Sequence, residues 1–350
     1  MLGGMLMPDP IRVALIGCGG IMVGRHLRLM LKHDDATLVA FADPVEAAQS
    51  RAKEADPSLA KVPTFADHAK MLADVKPEAV VIGTPHSLHR QHIVDSLRAG
   101  AHVLVEKPMV NTVAEAEDVI ATRDAAGKIV AVAYQRHTQA IFRQIKQLID
   151  DGSLGDIQFI TAEQDQPWTT VMLRRGTRPW RVKPELSGGG QLNDSGSHLI
   201  DILLHATGLV PERVFAVQQS LTFDVDVNSA IVMQFEGGAI ATLAIVGSAP
   251  GVQAWVWEDI AFHGSKGTLY YRMIGQPDQN PRLEWRKQGE EEPTPLPEPP
   301  EETTPDDNFL AAIRGQEEVA ATAEDGLRVA QLSEAVWRSA EQGEAATVAR

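Results

Sequence analysis

Residues 11–16 (IRVALI) are an unbroken apolar run of strand length, and Gly17-Cys18-Gly19-Gly20 follows with no spacer. A run without polar alternation reads as a strand buried on both faces, which demands a sheet with helices on either side. The first glycine permits a tight turn; the second lets the backbone approach a ligand closely. A helical pattern over about 20–32 then aims its first amides and its partial positive charge at the turn, which suits a pyrophosphate. Gly17, Gly19, Gly20, Ile21 and Met22 are therefore the first candidate ligand contacts. Met22 stands where the dinucleotide fingerprint usually has a third small residue, so either the turn is wider or the helix sits slightly off. A plain glycine-rich turn that binds nothing is the alternative.

The rest of the N-terminal part repeats the theme. Strand-like runs at 37–42, 79–82, 102–105 and 129–133 alternate with helical stretches at 45–55, 88–99 and 113–126. Each junction is marked by Asp-Pro, Gly-Thr-Pro, Glu-Lys-Pro or a lone glycine. Such alternation predicts an α/β fold, a doubly wound parallel sheet covered on both faces. Asp43 ends the second strand, where an acidic residue accepts hydrogen bonds from ribose hydroxyls and repels a 2′-phosphate, favouring NAD over NADP. Asp is also a good helix N-cap, and the two roles are compatible.

After residue 134 the rhythm changes. A helix at about 141–150 and a strand at 157–163 precede an irregular Trp-, Arg- and Pro-rich segment at 167–186. Gly188-Gly189-Gly190 opens a helical stretch to about 206, and 214–271 is strand-rich with tight turns. Successive strands without intervening helices predict an antiparallel or mixed sheet, so this half reads as α+β. Residues 289–306 are acidic and proline-rich, a solvated loop, and helices at about 307–314 and 323–340 close the chain. The division is 1–134 for dinucleotide binding and 135–350 for substrate and assembly, with the last helices free to pack back on the first part.

The formal charge of −15 offers no basic footprint for nucleic acid and opposes anionic membranes. No apolar run approaches the length of a membrane span, and the start lacks a secretory pattern. One cysteine, Cys18, rules out an internal disulfide and argues against a thiolate metal site. The expectation is a cytoplasmic protein without a metal.

Further signals fall in a fixed order. Thr84-Pro85-His86 with His89 follows one strand, Glu106-Lys107-Pro108 the next, and Tyr134-Gln135-Arg136 the one after. Asp194-x-Gly196-x-His198-x-x-Asp201 follows the three glycines. Taken together, from about Arg12 to Val348, this set resembles the glucose–fructose oxidoreductase / inositol dehydrogenase / rhizopine catabolism (Gfo/Idh/MocA) family. The resemblance implies a Rossmann domain followed by an open-faced sheet domain like that of glyceraldehyde-3-phosphate dehydrogenase. It also implies a nicotinamide-dependent reaction at a carbon of a sugar, cyclitol or polyol, and a homodimer or homotetramer joined through the sheet face.

Lys107 stands at the carboxyl end of a parallel strand, where ligands of open α/β sheets bind, and Pro108 holds it. It can stabilise charge on a reacting oxygen; the family match makes it catalytic. Asp194, His198 and Asp201 at i, i+4 and i+7 share a helix face. His198 is the candidate acid/base, Asp194 its orienting carboxylate or a substrate contact, and Asp201 a structural residue. Left alone, the Asp194–His198 pair reads equally as a structural cluster at a helix start. Thr84, Pro85, His86, His89, Glu106 and Gln135 are expected beside the cofactor, and Arg136 and Asn193 beside the substrate. Trp180 and Arg181, with Trp168, Arg174, Arg175 and Arg178, either line the substrate pocket or form a subunit-contact arm or solvated loop. The reading is hydride transfer between a nicotinamide and a carbinol carbon. Two rivals remain: a lyase or hydrolase that oxidises transiently with no net redox change, and a non-catalytic dinucleotide sensor.

Overall fold

The computed structural model describes residues 9–174, 179–249, 251, 256–275 and 281–350. Arg175 and Arg178 lie outside them. Strand β1 (Ile11–Ile16) ends in the glycine turn. The helix that follows opens as a π turn, Met22–His26, and continues as α1 (Leu27–Met30). Then come β2 (Ala36–Ala42), α2 (Glu46–Glu54), β3 (Thr64–Phe65), α3 (His68–Val75), β4 (Ala79–Ile82), α4 (His89–Arg98), β5 (His102–Val105), α5 (Val113–Ala126) and β6 (Val130–Val132). All pairs are parallel, in the order β3-β2-β1-β4-β5-β6. The order reverses between β1 and β4, so a crevice opens beyond their carboxyl ends.

Strand β1 shows why both faces are covered. Val13 and Leu15 pack with Met22, Leu27, Met30 and Phe41 on one side, while Ala14 and Ile16 pack with Ile93, Val94 and Leu97 on the other. β3 and α3 went unread in the sequence. β3 is two residues long and is held by pairing with Phe41 and Ala42. α3 starts at an Asp67 N-cap that accepts from the Lys70 amide.

The second half begins with α6 (Ala140–Asp150), β7 (Ile157–Asp165), α7 (Trp168–Arg174) and α8 (Pro184–Ser187). A second π turn, Leu192–Gly196, leads into α9 (Ser197–Thr207). Next come β8 (Pro211–Gln219), β9 (Asn228–Phe235), β10 (Ile240–Val246), β11 (Val256–Gly264), β12 (Gly267–Gly275), β13 (Arg282–Lys287), α10 (Pro305–Ile313), α11 (Ala323–Gln342) and β14 (Ala346–Thr347). The eight-stranded sheet runs β13-β12-β11-β7-β10-β9-β8-β14. It is antiparallel except for β7 with β10. α9 and α11 pack on one face. The other exposes Phe215, Val217, Val232 and Tyr270. Within the Trp-, Arg- and Pro-rich segment, Trp168 and Met172 pack with Val225 and Val227. The last helices return to the first sheet: Phe309 and Leu310 join the β1 core, and the Val132 amide donates to the Ala321 carbonyl. Among the described residues no helix is long and apolar enough to cross a membrane.

Candidate active site

The crevice at the strand reversal fits a dinucleotide. Gly17 has φ +88°, and a Cβ there would overlap the Gly83 carbonyl and the Thr84 methyl, so glycine is required for the two loops to meet. Gly19 and Gly20 face open space instead, the former with only the Gly83 oxygen at 4.0 Å from an added Cβ. A ligand can therefore approach the backbone at the head of the helix, where amides lack partners within the helix. Met22 is fully buried and its methyl lies against Gly83. The room usually left by a small third residue is thus left by Gly83, and the helix carries a π turn from Met22 onward. Ile21 is exposed at the turn.

Asp43 is fixed by the fold. Its Oδ2 accepts from the Cys18 amide at 2.8 Å and its Oδ1 from the Val45 amide at 2.8 Å, bracing the glycine turn against the start of α2. Thr84 Oγ1 is 3.0 Å from His92 Nδ1. His89 is buried between the Pro108 carbonyl (2.9 Å) and the Thr84 carbonyl (3.0 Å), so it ties the Thr84-Pro85 loop to the Lys107-Pro108 loop. The Lys107–Pro108 peptide is cis.

At the end of β5, Glu106 faces inward to the first helix. Its Oε1 lies 3.0 Å from His26 Nε2, while His26 Nδ1 lies 2.8 Å from Asp306 of α10. Burial opposes an imidazolium here, but the charges and hydrogen bonds of Asp306 and Glu106 outweigh it and raise His26 to about 10. Burial likewise opposes ionised Glu106, but hydrogen bonding to His26 and the charges of His26 and Lys107 hold it at about 2. A charged buried triad therefore anchors the residue before Lys107.

Lys107 projects toward the second π turn. Its Nζ donates to the Asp194 carbonyl at 2.8 Å and lies 3.4 Å from Asp194 Oδ1. Asp194 Oδ2 accepts from Trp168 Nε1 at 3.1 Å and from Arg181 Nε at 3.0 Å. Burial would favour protonated Asp194, yet Arg181 and Lys107 together hold the carboxyl far below the ordinary range. Asp194 thus binds Lys107, Arg181 and Trp168; no hydrogen bond joins its carboxylate to the His198 ring among the described residues. Asp194 lies within the π turn and His198 in the first turn of α9. His198 is half-buried, and desolvation followed by the charges of Lys107 and Arg136 pushes its pKa well below the usual histidine value, so the ring is neutral at pH 7. Its Nδ1 has no partner among the described residues.

The Asp226 carboxylate accepts from the Gly190 and Leu192 amides at 2.9 and 2.7 Å and so fixes the start of the π turn. The three glycines are tightly packed: an added Cβ would overlap Asn111 at Gly188, Trp337 at Gly189 and the Asp226 carbonyl at Gly190. Asn193 donates both amide hydrogens within the protein, to Asn111 and Ser187, each at 2.8 Å. Trp180 meets the His86 ring edge-on at 4.8 Å and underlies the Arg181 guanidinium at 4.2 Å. His86 is buried, with Nδ1 3.1 Å from the Ser187 carbonyl. Asp201 lies apart from Lys107 and Asp194, bound to His137 Nε2 at 2.9 Å.

Beside His198 is a cavity of about 270 Å³ whose lining includes Gln135, Arg136, Gln139, Gln164, Gln166 and Ser195. Arg136 donates to Glu258 Oε2 at 2.6 Å and to the His198 carbonyl at 3.3 Å. Ser195, Gln139, Gln164, Gln166 and Glu258 were not singled out in the sequence. A signal existed for two of them. In β7 the buried alternation runs Ile160, Ala162, Gln164, and in β11 it runs Val256, Glu258, Ile260. A polar side chain at an inward position of an alternating strand marks a site or a buried ion pair.

The descriptions "Oxidoreductase family, NAD-binding Rossmann fold" and "GFO/IDH/MocA C-terminal domain" match residues 11–134 and 142–270. The chain belongs to the Gfo/Idh/MocA family. It carries the NAD(P)-binding Rossmann fold and the mostly antiparallel second sheet of Gfo/Idh/MocA oxidoreductases. It is 26% identical to the D-glucoside 3-dehydrogenase of Escherichia coli (strain K12), over 96% of this chain and 97% of that protein. It is 30% identical to scyllo-inositol 2-dehydrogenase (NADP(+)) IolW of Bacillus subtilis, over 62% of this chain and 57% of that one. The WlbA dehydrogenase from Bordetella pertussis, solved in complex with NADH and UDP-GlcNAcA, superposes with a TM-score of 0.82 at 25% identity, over 98% of this chain and 100% of that one.

Proposed function

We propose that this oxidoreductase transfers a hydride between NAD and a carbinol carbon of a sugar, cyclitol or related polyol. The observation that carries the proposal is the meeting of Lys107, from the end of β5, with the Asp194 turn that leads into His198, beyond the carboxyl ends of the parallel strands. The relatives named for glucoside and inositol dehydrogenation support the substrate class. Gly17, Gly19, Gly20, Ile21 and the loop at Thr84 and Pro85 would hold the dinucleotide, which when bound supplies a hydride acceptor or donor at the nicotinamide ring. The remaining chemistry belongs to the chain. Neutral His198 takes the hydroxyl proton in the oxidative direction. Lys107, held by Asp194, donates a hydrogen bond to the same oxygen as it gains negative charge. Asp194 positions that lysine and Arg181. We take 1–134 and 135–350 as the nucleotide and substrate parts. We place the protein in the cytoplasm, where a lone thiol stays reduced, and we infer that a second copy covers the exposed sheet face.

Lys107→Ala and His198→Ala test the roles. Each should lower kcat by about 10²-fold or more, while NAD affinity, measured by calorimetry, stays within a few-fold. Because the His198 pKa is depressed, wild-type kcat/KM for oxidation should not fall as pH drops from 7 to 6. A variant with wild-type kcat, or an acid limb centred near 6.5, would overturn the assignment. Turnover without NADH accumulation at 340 nm would favour transient oxidation over net dehydrogenation.

A further inference from the structure

We propose that Glu258 restricts the pocket to uncharged substrates by holding Arg136, the one guanidinium that lines it among the described residues. The inference rests on the reading of this cavity as the substrate site. Arg136 is where an acidic substrate would be gripped, since a guanidinium matches a carboxylate with two parallel hydrogen bonds. Here two of its five N–H donors are already committed, one of them to a carboxylate. One amino group donates to Glu258 Oε2 at 2.6 Å and the other to the His198 carbonyl at 3.3 Å, while Phe142 lies under the guanidinium at 5.2 Å. Glu258 is wholly buried, and Gln164 Nε2 also donates to its Oε2 at 2.8 Å. A substrate carboxylate would have to displace Glu258 from Arg136 or share the guanidinium with it, and either way would sit near that buried charge with little water to screen the two. Lys107 and Arg181 are likewise engaged, because both bind Asp194.

What the cavity offers instead suits hydroxyl groups. Its polar lining is amide and hydroxyl: Gln135, Gln139, Gln164, Gln166 and Ser195. Among these lining residues, Gln164 Oε1 is a buried acceptor with no partner among the described residues, and His198 Nδ1 is a second unpaired polar atom. A hydroxyl donates to such acceptors; a carboxylate cannot. The volume, about 270 Å³, falls below the usual range for drug-sized ligands and suits a single sugar or cyclitol ring. Glu258 is thus a specificity residue that acts through Arg136 by repelling the wrong substrate as well as admitting the right one.

The test compares matched pairs, D-glucose with D-glucuronate and D-galactose with D-galacturonate, with binding to the NAD-loaded protein measured by NMR line broadening. Wild type should bind the better neutral sugar at least tenfold tighter than its acid. Glu258→Gln, which frees Arg136, should shift that ratio at least tenfold toward the acid, and Arg136→Gln combined with Glu258→Gln should cancel the shift. Tighter acid binding by wild type, or a ratio unmoved in a folded Glu258→Gln protein, would overturn the proposal. The wild-type comparison decides even if the single variant does not fold. Hydride transfer is read separately at 340 nm. Charge selection without any turnover would count against the oxidoreductase reading alone, and turnover without charge selection against Glu258 alone.

Discussion

Asp43 spends one carboxylate oxygen on the Cys18 amide and the other on the Val45 amide, so it shapes the turn before any nucleotide arrives. Each oxygen keeps a second lone pair for a ribose hydroxyl, and its charge would still repel a 2′-phosphate. Asp43→Ala should therefore reduce the preference for NAD over NADP by tenfold or more while also weakening binding of both. Tighter binding of NADP than NAD by wild type would contradict the cofactor choice. Side chains that act through position were legible in the sequence. Lys107 stands at a strand end before a proline, and His198 follows a glycine run. Contacts made across the fold were less legible. Spacing put Asp194 and His198 on one face, but it carried no sign of the π turn or of the bonds Asp194 makes to Lys107, Arg181 and Trp168. Glu258 and Gln164 are far apart in sequence, and only pairing of β7 with β11 brings them together.

Among the elements, the contact of α10 with the first helix depends on charge. Asp306, His26 and Glu106 are buried in sequence from α10 to the end of β5. His26 has a folded pKa raised from 6.5 to about 10, so its contribution to stability is full below pH 6.5 and is lost as pH rises toward 10. Glu106 is lowered from 4.5 to about 2, so its share is full above pH 4.5 and is lost toward pH 2. Asp306→Asn should cost about 3–5 kcal/mol at pH 6, typical for breaking a buried pair, and the gap to wild type should narrow steadily from pH 7 to 10. Urea melts of both proteins at pH 6, 8 and 9.5 measure it; a constant gap would contradict the charged triad. Strands and helices with a strong period or a glycine stop were readable. α5, for example, begins after a Thr112 cap and ends at Gly127 in the left-handed region. β3 was not, because two residues carry no period and only the neighbouring strand defines them.

The two sheets differ in what covers them. The first is clothed by helices on both faces, whereas the second leaves Phe215, Val217, Val232 and Tyr270 exposed on one broad surface. Replacing Val217 and Val232 together with Glu should shift the protein to a smaller mass in sedimentation, with secondary structure intact. A wild-type protein that sediments as a monomer would contradict the paired-sheet assembly. The path of the chain matters for how the molecule is made. Phe309 and Leu310 complete the β1 core, and the Ala321 carbonyl receives the Val132 amide. The nucleotide-binding half therefore borrows a buried layer from residues that follow strands β7 to β13 of the second sheet in the chain. During synthesis it must wait, its apolar side partly uncovered, until the strands of the second sheet up to β13 have emerged.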